Sequence, residues 1–445
     1  MSKAVLDDWQ ELLPKTLENA VRAPYYRRRF GSAWRRVKSI EDLALLPTLD
    51  KPTAIRFQRY LVVGERPPGF GITSSGTTRL DLDMPPLNVL RCPEEADAIA
   101  GPALEPGQAA REDPDDPYPG WTLEVFSVTH GLPLPPGKDE IVVPWMLDRN
   151  ALYMIEAVLS KPQPDGRRVT AMRLGTGALT VLTVWLQERG KDPSSFGVKL
   201  IGTFSQRLTE FWRKLAAERF GAQIFDNYSL SEFSTPATEC TACGWLHFRW
   251  PPVLYEVLDL VTGKPREEGI GRLVLTGLHP YVQKMPLIRY DTGDAVELGP
   301  FCRVERSRGI RMHGRIRRGL VLQNNGGGAY LLAPMTVFDL LDCLAEVERW
   351  PHPCATLGII RSRDVGFPRW VSEFDERLSL LRLRFEVRFD PLIFRERAKE
   401  LETRVQEGLL TRDAGLKKLV RAGTLRLEVL AARPQSLNPP IDKFV

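Results

Sequence analysis

Hydrophobic residues in the middle of the chain follow two alternating patterns. Short runs rich in β-branched and aromatic residues predict strands, and they read DEIVVPWML, GVKLIGTF and AQIFDNYSL. The runs ALTVLTVWLQERG and LTEFWRKLAAERFG have the length and composition of helices. The second helix should end at Gly221, because glycine readily takes the left-handed conformation just after a helix. Strands that alternate with helices predict a parallel sheet of the α/β class.

The regions on either side of this alternation differ from it and from each other. Residues 1–65 are predicted to be helical, with breaks near Gly31 and Pro47. Residues 81–120 contain eight prolines and the acidic tract DPDDPYPGW, so we interpret them as a surface excursion or a lid. Farther on, the stretch PPVLYEVLDLVTGKPREEGIGRLVLTGL predicts a hairpin-rich β region, because the turn signals TGKP and EEGIG interrupt it.

A new pattern starts after Gly314. The runs LRLRFEVRF, RERAKELETRVQEGLL and TLRLEVLA predict a strand, a helix and a strand, which together make a compact α+β unit. We therefore predict a large N-terminal domain of α/β layers with a β-rich subdomain over residues 1–314. A small α+β C-terminal domain should cover residues 315–445.

Composition narrows the class of protein. The chain has 445 residues, of which 43% are hydrophobic and 26% charged, as is ordinary for a soluble globular protein. The opening MSKAVLDDWQELL indicates an amphipathic helix without the apolar core of a signal peptide, so we expect a cytoplasmic protein. The net charge of +5 is small, and the arginines of YYRRRFGSAWRR are interpreted as a solvated helix face, with a patch for nucleic-acid or cofactor phosphates as the alternative. We expect neither a nucleic-acid partner nor a membrane partner.

Four short motifs offer candidate chemistry. The loop ITSSGTTRLD could hold phosphate oxygens with its backbone N–H groups and hydroxyls, although a plain turn would have the same composition. The segment DNYSLSEF presents the ring of Tyr228, which could stack on a base, and the carboxylate of Glu232, which could hold Mg²⁺. In LIRYDTGDAVEL, Asp294 follows a glycine in a tight turn and could accept hydrogen bonds from ribose hydroxyls. The fourth motif, HGRIRRG, is a cationic turn at the predicted domain boundary.

The order and spacing of these motifs resemble the AMP-forming acyl/aryl–CoA ligase superfamily, and most closely its phenylacetate–CoA ligase branch. Members of that branch read SSGTTG, YGLSE, RYRTGD and GRxDD, where this chain reads SSGTTR, YSLSE, RYDTGD and GRIRR. The N-terminal stretch that ends in SIEDLALLPTLDK also looks like the opening of that branch, so the resemblance spans nearly the whole chain.

The resemblance implies a two-step reaction. A carboxylate attacks the α-phosphate of ATP and releases pyrophosphate, and the acyl-adenylate then meets a nucleophile, usually coenzyme A. It also implies that the small domain rotates on a hinge between the two steps and brings Lys443 to the α-phosphate. The catalytic residues would be Lys443, Glu232 and Thr77. The nucleotide would be bound by Ser74, Ser75, Gly76, Thr77 and Thr78 at its phosphates, Tyr228 at adenine, Asp294 at ribose and Arg315 at the hinge, with Glu232 on Mg²⁺.

Several residues depart from the family pattern. Arg79 replaces the last glycine of the phosphate loop, Ser229 the glycine after the stacking tyrosine, and Asp291 an arginine of the ribose turn. Arg317 stands in place of the hinge aspartate, and Asp442 in place of the glycine before Lys443. These differences favour an unusual acceptor, a changed domain motion or lost activity.

Three cysteines and one histidine have the spacing of zinc ligands. Cys240, Cys243 and His247 lie in ECTACGWLHF, and Cys302 in the turn GPFCRVE could be the fourth ligand. With four protein ligands, such a zinc would be structural rather than catalytic. The alternative is a set of ordinary reduced thiols beside a hydrogen-bonded histidine.

The acid that the protein would activate is poorly defined by the sequence. The pocket segment of the family corresponds to FSVTHGLPL, which makes His130, Gly131 and Leu132 candidate pocket residues for a carboxylic acid, expected to be aromatic. Three functions stay open at this point: a CoA ligase, an adenylate-forming ligase with an amine or another non-CoA acceptor, and a nucleotide-binding homologue without turnover. A homodimer is one assembly state that the sequence allows.

Overall fold

The computed structural model describes residues 3–64, 69–73, 87–100, 120–127, 139–233, 235–249, 252–323 and 329–437. The helices are α1 Lys3–Ala20, α2 Pro24–Phe30, α3 Lys51–Arg56, α4 Pro93–Ala100, α5 Arg149–Ser160, α6 Thr176–Glu188, α7 Glu210–Phe220, α8 Pro334–Asp342, α9 Pro353–Thr356, α10 Arg395–Arg412 and α11 Ala414–Arg421. The strands are β1 Leu49–Asp50, β2 Phe70–Thr73, β3 Asn88–Arg91, β4 Trp121–Ser127, β5 Glu140–Trp145, β6 Val169–Gly175, β7 Leu200–Phe204, β8 Gln223–Tyr228, β9 Ala237–Glu239, β10 Leu246–Phe248, β11 Val253–Leu258, β12 Ile270–Gly277, β13 Tyr290–Cys302, β14 Ser307–Arg315, β15 Leu320–Gln323, β16 Ala329–Leu332, β17 Arg349–Pro351, β18 Gly366–Pro368, β19 Trp370–Asp375, β20 Leu380–Glu386 and β21 Arg426–Ala432.

The chain forms two compact units, each assembled from separated stretches. The first unit takes its residues from Met1–Pro119, Ser127–Lys138 and Phe225–Met312. The second takes them from Gly120–Phe126, Asp139–Ile224 and His313–Val445. The domain boundary that we predict near residue 315 stays a prediction.

The first unit is built around antiparallel strands. Its sheet runs in the order β11, β12, β13, β14, β10, β9 and β8, and the short β1 pairs in parallel with β13. The predicted hairpin region is confirmed, because β11 and β12 pair antiparallel from Val253 opposite Gly277 to Leu258 opposite Arg272. A separate hairpin joins β2 to β3, and the expected phosphate loop connects these two strands outside the described residues. Helix α1 packs its apolar face, including Trp9, Leu13 and Leu17, into the core of this unit.

The second unit contains the predicted alternation of strands and helices. Strands β7, β6, β4 and β5 are neighbours in this order, and β6 pairs in parallel with both β7 and β4. Helix α6 is buried along most of its length, and α7 ends at Gly221, whose φ of 62° is left-handed as expected. The parallel α/β arrangement predicted from the sequence is therefore confirmed. Strand β4 was not predicted, since it follows directly on the proline-rich stretch.

The C-terminal part of the second unit is a three-stranded sheet covered by helices. Strand β20 pairs antiparallel with β19 and in parallel with β21, and the connection from β20 to β21 passes through α10 and α11. The core here joins apolar residues of α8, α10 and the three strands. The predicted strand, helix and strand are confirmed as β20, α10 and β21.

A buried ion pair fixes the chain that follows β21. Glu386 is fully buried at the end of β20, and its carboxylate accepts hydrogen bonds from the Nε of Arg369, at 2.5 Å, and from the N–H groups of Gln435 and Leu437, at 2.8 and 2.7 Å. Arg369 also donates through Nη2 to the carbonyl oxygen of Leu437, at 2.8 Å. We call these contacts the Arg369–Glu386 clamp. It attaches the backbone up to Leu437 to the β19–β20 sheet.

Within the described parts of the chain, no helix combines the length and the apolar composition that a bilayer span requires.

Candidate functional site

Two of the predicted nucleotide-binding residues meet in the first unit. The hydroxyl of Tyr228, at the end of β8, donates a hydrogen bond of 2.7 Å to Oδ2 of Asp294. Asp294 lies on β13 just after Gly293, whose φ of 74° is left-handed and therefore favours glycine. The N–H of Asp294 donates to the hydroxyl of Thr292, which holds this bend. The sequence motifs YSLSE and RYDTGD thus place their aromatic ring and their carboxylate side by side.

Glu232, the predicted magnesium ligand, is buried beside the same strand. Its Oε1 accepts a hydrogen bond of 2.9 Å from the hydroxyl of Tyr290 and lies 3.0 Å from Nζ of Lys51. Its backbone carbonyl accepts a hydrogen bond of 2.8 Å from Nη2 of Arg91. Glu232 is therefore held at both its side chain and its main chain by residues from β13, α3 and β3.

The carboxylate of Glu232 fits a magnesium site in its chemistry, since Mg²⁺ prefers oxygen ligands and commonly takes one or two carboxylates along with substrate phosphates. In the structure, however, Oε1 already faces the ammonium of Lys51 and the hydroxyl of Tyr290. A metal at this carboxylate would have to share it with these two donors or displace one of them.

The strands that flank the expected phosphate loop are anchored by buried charges. Arg91, at the end of β3, is almost fully buried and pairs with Glu95 at 3.3 Å. Oε1 of Glu95 accepts the backbone N–H groups of Gln283 and Lys284 at 2.7 and 2.6 Å. Burial lowers the pKa of Arg91, while Glu95 favours its charged form. The base of the β2–β3 hairpin is thus tied to the same region that holds Glu232.

Several predicted residues lie outside the described residues. They are the phosphate-loop residues Ser74, Ser75, Gly76, Thr77 and Thr78, the pocket residues His130, Gly131 and Leu132, and the tail lysine Lys443. Their roles stay predictions.

Arg315 is described but belongs to the second unit, where it ends β14. A short 3-10 helix, Ile316–Arg318, follows directly. Burial, together with the positive charge of Arg315, lowers the pKa of Arg317. Arg317 therefore stands next to a like charge.

The predicted cysteine ligands come together in the first unit. The Sγ atoms of Cys240, Cys243 and Cys302 all lie within 4.8 Å of one another. Nε2 of His247 is 3.2 Å from Sγ of Cys243, and its Nδ1 is 2.8 Å from the hydroxyl of Ser307. Cys240, Cys302 and His247 are buried.

The three cysteines fit part of a tetrahedral zinc site, and His247 would have to approach the other sulfur atoms to complete it. With Zn–S bonds of about 2.3 Å, the sulfur atoms of a tetrahedral site are roughly 3.8 Å apart, which the cluster allows. The hydrogen bond between Nδ1 of His247 and Ser307 would leave Nε2 free to face the metal, as is usual for metal-ligating histidines. Gly309 packs closely against this ring, because a Cβ there would lie 2.7 Å from Nε2 of His247. The group of ligand atoms that lie within 4.8 Å of one another contains the three cysteine sulfur atoms and does not include His247.

Sequence reasoning missed Lys51, Tyr290 and Arg91 as residues around Glu232. Tyr290 lies inside the RYDTGD motif, and Lys51 closes the LPTLDK segment, so both stand in stretches that the resemblance covers. Their meeting depends on the pairing of β1 with β13, which sets Leu49 opposite Tyr290 and is invisible in the local sequence pattern.

No protein-family model matches this chain, and no curated protein is similar to it in sequence at a significant level. Solved structures do match. A 2-hydroxyisobutyryl-CoA ligase in the postadenylation state, in complex with 2-HIB-AMP, has 17% sequence identity and a TM-score of 0.65, over 100% of this chain and 89% of that chain. An open conformation of this ligase, with 2-HIB-AMP and CoA, has 18% identity and a TM-score of 0.63, over 99% and 90% of the two chains.

A third match is ATP-bound MatB from Rhodopseudomonas palustris, with 14% identity and a TM-score of 0.50, over 83% of this chain and 66% of that chain. The chain therefore has the fold of the adenylate-forming CoA ligases, with α/β layers, a large N-terminal part and a small C-terminal part. The superfamily expected from the motifs agrees with this fold. The phenylacetate–CoA ligase branch stays a prediction.

Proposed function

We propose that the protein is an ATP-dependent ligase that activates a carboxylic acid as an acyl-adenylate and transfers the acyl group to coenzyme A. The carboxylate oxygen of the acid attacks the α-phosphorus of ATP, and the bond from that phosphorus to pyrophosphate breaks. The sulfur of coenzyme A then attacks the acyl carbon, and AMP leaves with the bonding electrons. An aromatic acid is the substrate that the sequence favours.

The hydrogen bond between Tyr228 and Asp294 carries this proposal. It holds an aromatic ring beside a buried carboxylate, a pair of groups suited to binding a nucleoside by its base and its ribose. Glu232 is buried in the same unit and would hold Mg²⁺, which neutralises the phosphates and the charge that develops on pyrophosphate. The phosphate loop 74–78 and Arg315 would complete the nucleotide site.

The small domain would act through its tail. We propose that residues 315–445 rotate between the two half-reactions and that Lys443 reaches the α-phosphate during adenylation. Arg315 and Arg317 carry like charges at the start of this domain. This supports a hinge at which the equilibrium between the positions of the domain differs from that in proteins with an aspartate there. The cluster of Cys240, Cys243, Cys302 and His247 would hold a structural zinc ion that stabilises the first unit.

A pyrophosphate-release assay tests the function. The purified protein is incubated with ATP, Mg²⁺ and a panel of carboxylic acids, with coenzyme A, with a panel of amines, or with neither. Steady release that needs both one acid and coenzyme A supports the proposal. If an amine accelerates the release of pyrophosphate and coenzyme A does not, the acceptor is an amine and not coenzyme A. If ATP binds but no acid causes release of pyrophosphate, the protein is a nucleotide-binding homologue without turnover.

A further inference from the structure

Lys51 occupies an unfavourable position for a lysine. It is buried and it begins helix α3, where the positive end of the helix dipole disfavours a cation. Asp50 caps the helix by accepting the N–H of Thr53, so its carboxylate is already engaged at 2.7 Å. Burial and the dipole both act against the charge on Lys51, and the carboxylate of Glu232 at 3.0 Å offsets them.

The geometry fixes Glu232 more firmly than Lys51. Tyr290 holds the carboxylate through Oε1, and Arg91 holds the backbone carbonyl of the same residue. Arg91 is itself paired with Glu95, so the support behind Glu232 is a chain of buried charged contacts. Lys51 reaches the carboxylate through a flexible four-carbon stem. If another cation approaches Glu232, the ammonium is the group that can move.

We propose that Lys51 is a resident counter-cation of Glu232 and that it competes with the divalent metal ion of the nucleotide for this carboxylate. In the free protein, the ammonium neutralises Glu232. When a metal–nucleotide binds, the metal takes the carboxylate and Lys51 is displaced from Oε1. This competition rests on the nucleotide-binding function proposed above. Its consequence is that the protein needs more free Mg²⁺ for nucleotide binding than an unpaired carboxylate would.

Magnesium titration of nucleotide binding tests the competition. The probe is a non-hydrolysable ATP analogue, and its binding is followed by calorimetry while Mg²⁺ is raised from zero in a buffered chelator. Lys51→Met removes the charge and keeps the length of the side chain. The Mg²⁺ concentration at half-maximal binding should fall by about tenfold or more, because a unit charge about 3 Å from the carboxylate no longer opposes the metal.

Two control variants separate charge from packing. Lys51→Arg keeps a cation at Glu232 and should need nearly as much Mg²⁺ as the wild type. Lys284→Met removes another buried lysine of the same unit, whose Nζ donates to the carbonyl oxygen of Val63 at 3.0 Å. It should leave the Mg²⁺ requirement unchanged. If Lys51→Met folds and its requirement equals that of the wild type, Lys51 is a structural ion-pair partner and the competition is wrong.

A measurement on the wild type covers the case in which Lys51→Met does not fold. Trace acetylation with acetic anhydride is quantified by mass spectrometry at Lys51, with Lys284 as an internal reference. Samples contain the ATP analogue with either a chelator or Mg²⁺. Metal should increase the labelling of Lys51 if it releases the ammonium, and unchanged or reduced labelling would overturn the competition. Failure of the wild type to bind the analogue at any Mg²⁺ concentration would instead refute the proposed function.

Discussion

The hydroxyl of Tyr228 lies 2.7 Å from Oδ2 of Asp294, although the two residues come from different motifs and different strands. The contact holds the tyrosine ring at its polar end, and the ring of Phe248 packs edge-on against it with the centroids 6.3 Å apart. It also engages the carboxylate of Asp294 through Oδ2. Each residue therefore constrains the other, and their roles are best tested as a pair.

We expect Asp294→Ala to weaken binding of ATP by roughly tenfold to a hundredfold, because loss of hydrogen bonds to a charged acceptor costs about 1.5–3 kcal/mol. Calorimetry with the non-hydrolysable analogue measures the affinity, and circular dichroism checks the fold.

Tyr228→Phe is the matched variant, since it removes the donor to Asp294 and keeps the ring. Its loss of affinity should be smaller than that of Asp294→Ala. Equal losses would mean that Asp294 acts by holding Tyr228. A folded Asp294→Ala protein with unchanged affinity would contradict the ribose role altogether.

Some elements of the fold are determined by local sequence, and others depend on residues far apart in the chain. Helices α6 and α7 and strands β5, β7 and β8 were predictable, because apolar periodicity and the glycine after α7 act within a few residues. The partners of Glu232 were not predictable. They depend on the register of β1 against β13 and on a hydrogen bond from Arg91, which is far from Glu232 in the sequence. The cysteine cluster was predictable, since the spacing of two ligands on one tight turn is itself a geometric signal.

Zinc content should follow the cysteine cluster. We expect about one zinc ion per chain in protein purified without added metal, and a strong reduction in Cys240→Ser. Loss of the ion should lower the midpoint of thermal unfolding, because metal binding to the folded state stabilises it.

Cys354→Ser is the control for this variant, since Cys354 is fully buried in a core of the second unit and lies outside the cluster. It should retain zinc and lose less stability than Cys240→Ser. Freshly purified, reduced wild-type protein without any bound metal would rule out the zinc site.

Lys443→Ala should slow adenylation by roughly a hundredfold or more, the scale of losing one preorganised donor that stabilises charge in the transition state. Binding of ATP should change little, and transfer from a synthetic acyl-adenylate to coenzyme A should be nearly intact. Single-turnover assays of each half-reaction measure the two rates. Lys418→Ala, which removes an exposed lysine of α11, serves as the control and should behave like the wild type. A normal adenylation rate in Lys443→Ala would make Lys443 an ordinary tail residue.

Acid should destabilise the protein through His352. Burial lowers the pKa of this imidazole to about 4, and its Nδ1 accepts the N–H of Cys354 at 3.2 Å, which a protonated nitrogen could not do. The unfolded chain, with a histidine pKa of about 6.5, binds the proton more readily, so stability is lost as the pH falls from about 6.5 to 4. The resulting loss in the free energy of unfolding reaches about 3 kcal/mol at pH ~4 and is negligible above pH ~7.

Urea unfolding of the wild type and of His352→Gln, at a series of pH values, measures this effect. The difference in the free energy of unfolding between the two proteins should be constant above pH ~7 and should shift in favour of the variant below pH ~6. A difference that is independent of pH would show that His352 is not held neutral by the fold.

The Arg369–Glu386 clamp limits how far the residues that follow Leu437 can reach. Leu437 is fixed to the sheet, and Lys443 follows it by six residues. A fully extended chain spans at most about 3.6 Å per residue, so the backbone of Lys443 lies no farther than about 22 Å from Leu437. One ammonium group within such a radius corresponds to an average concentration in the millimolar range or above. If Lys443 acts in adenylation as we propose, the points that it can reach depend on the position of the β19–β20 sheet.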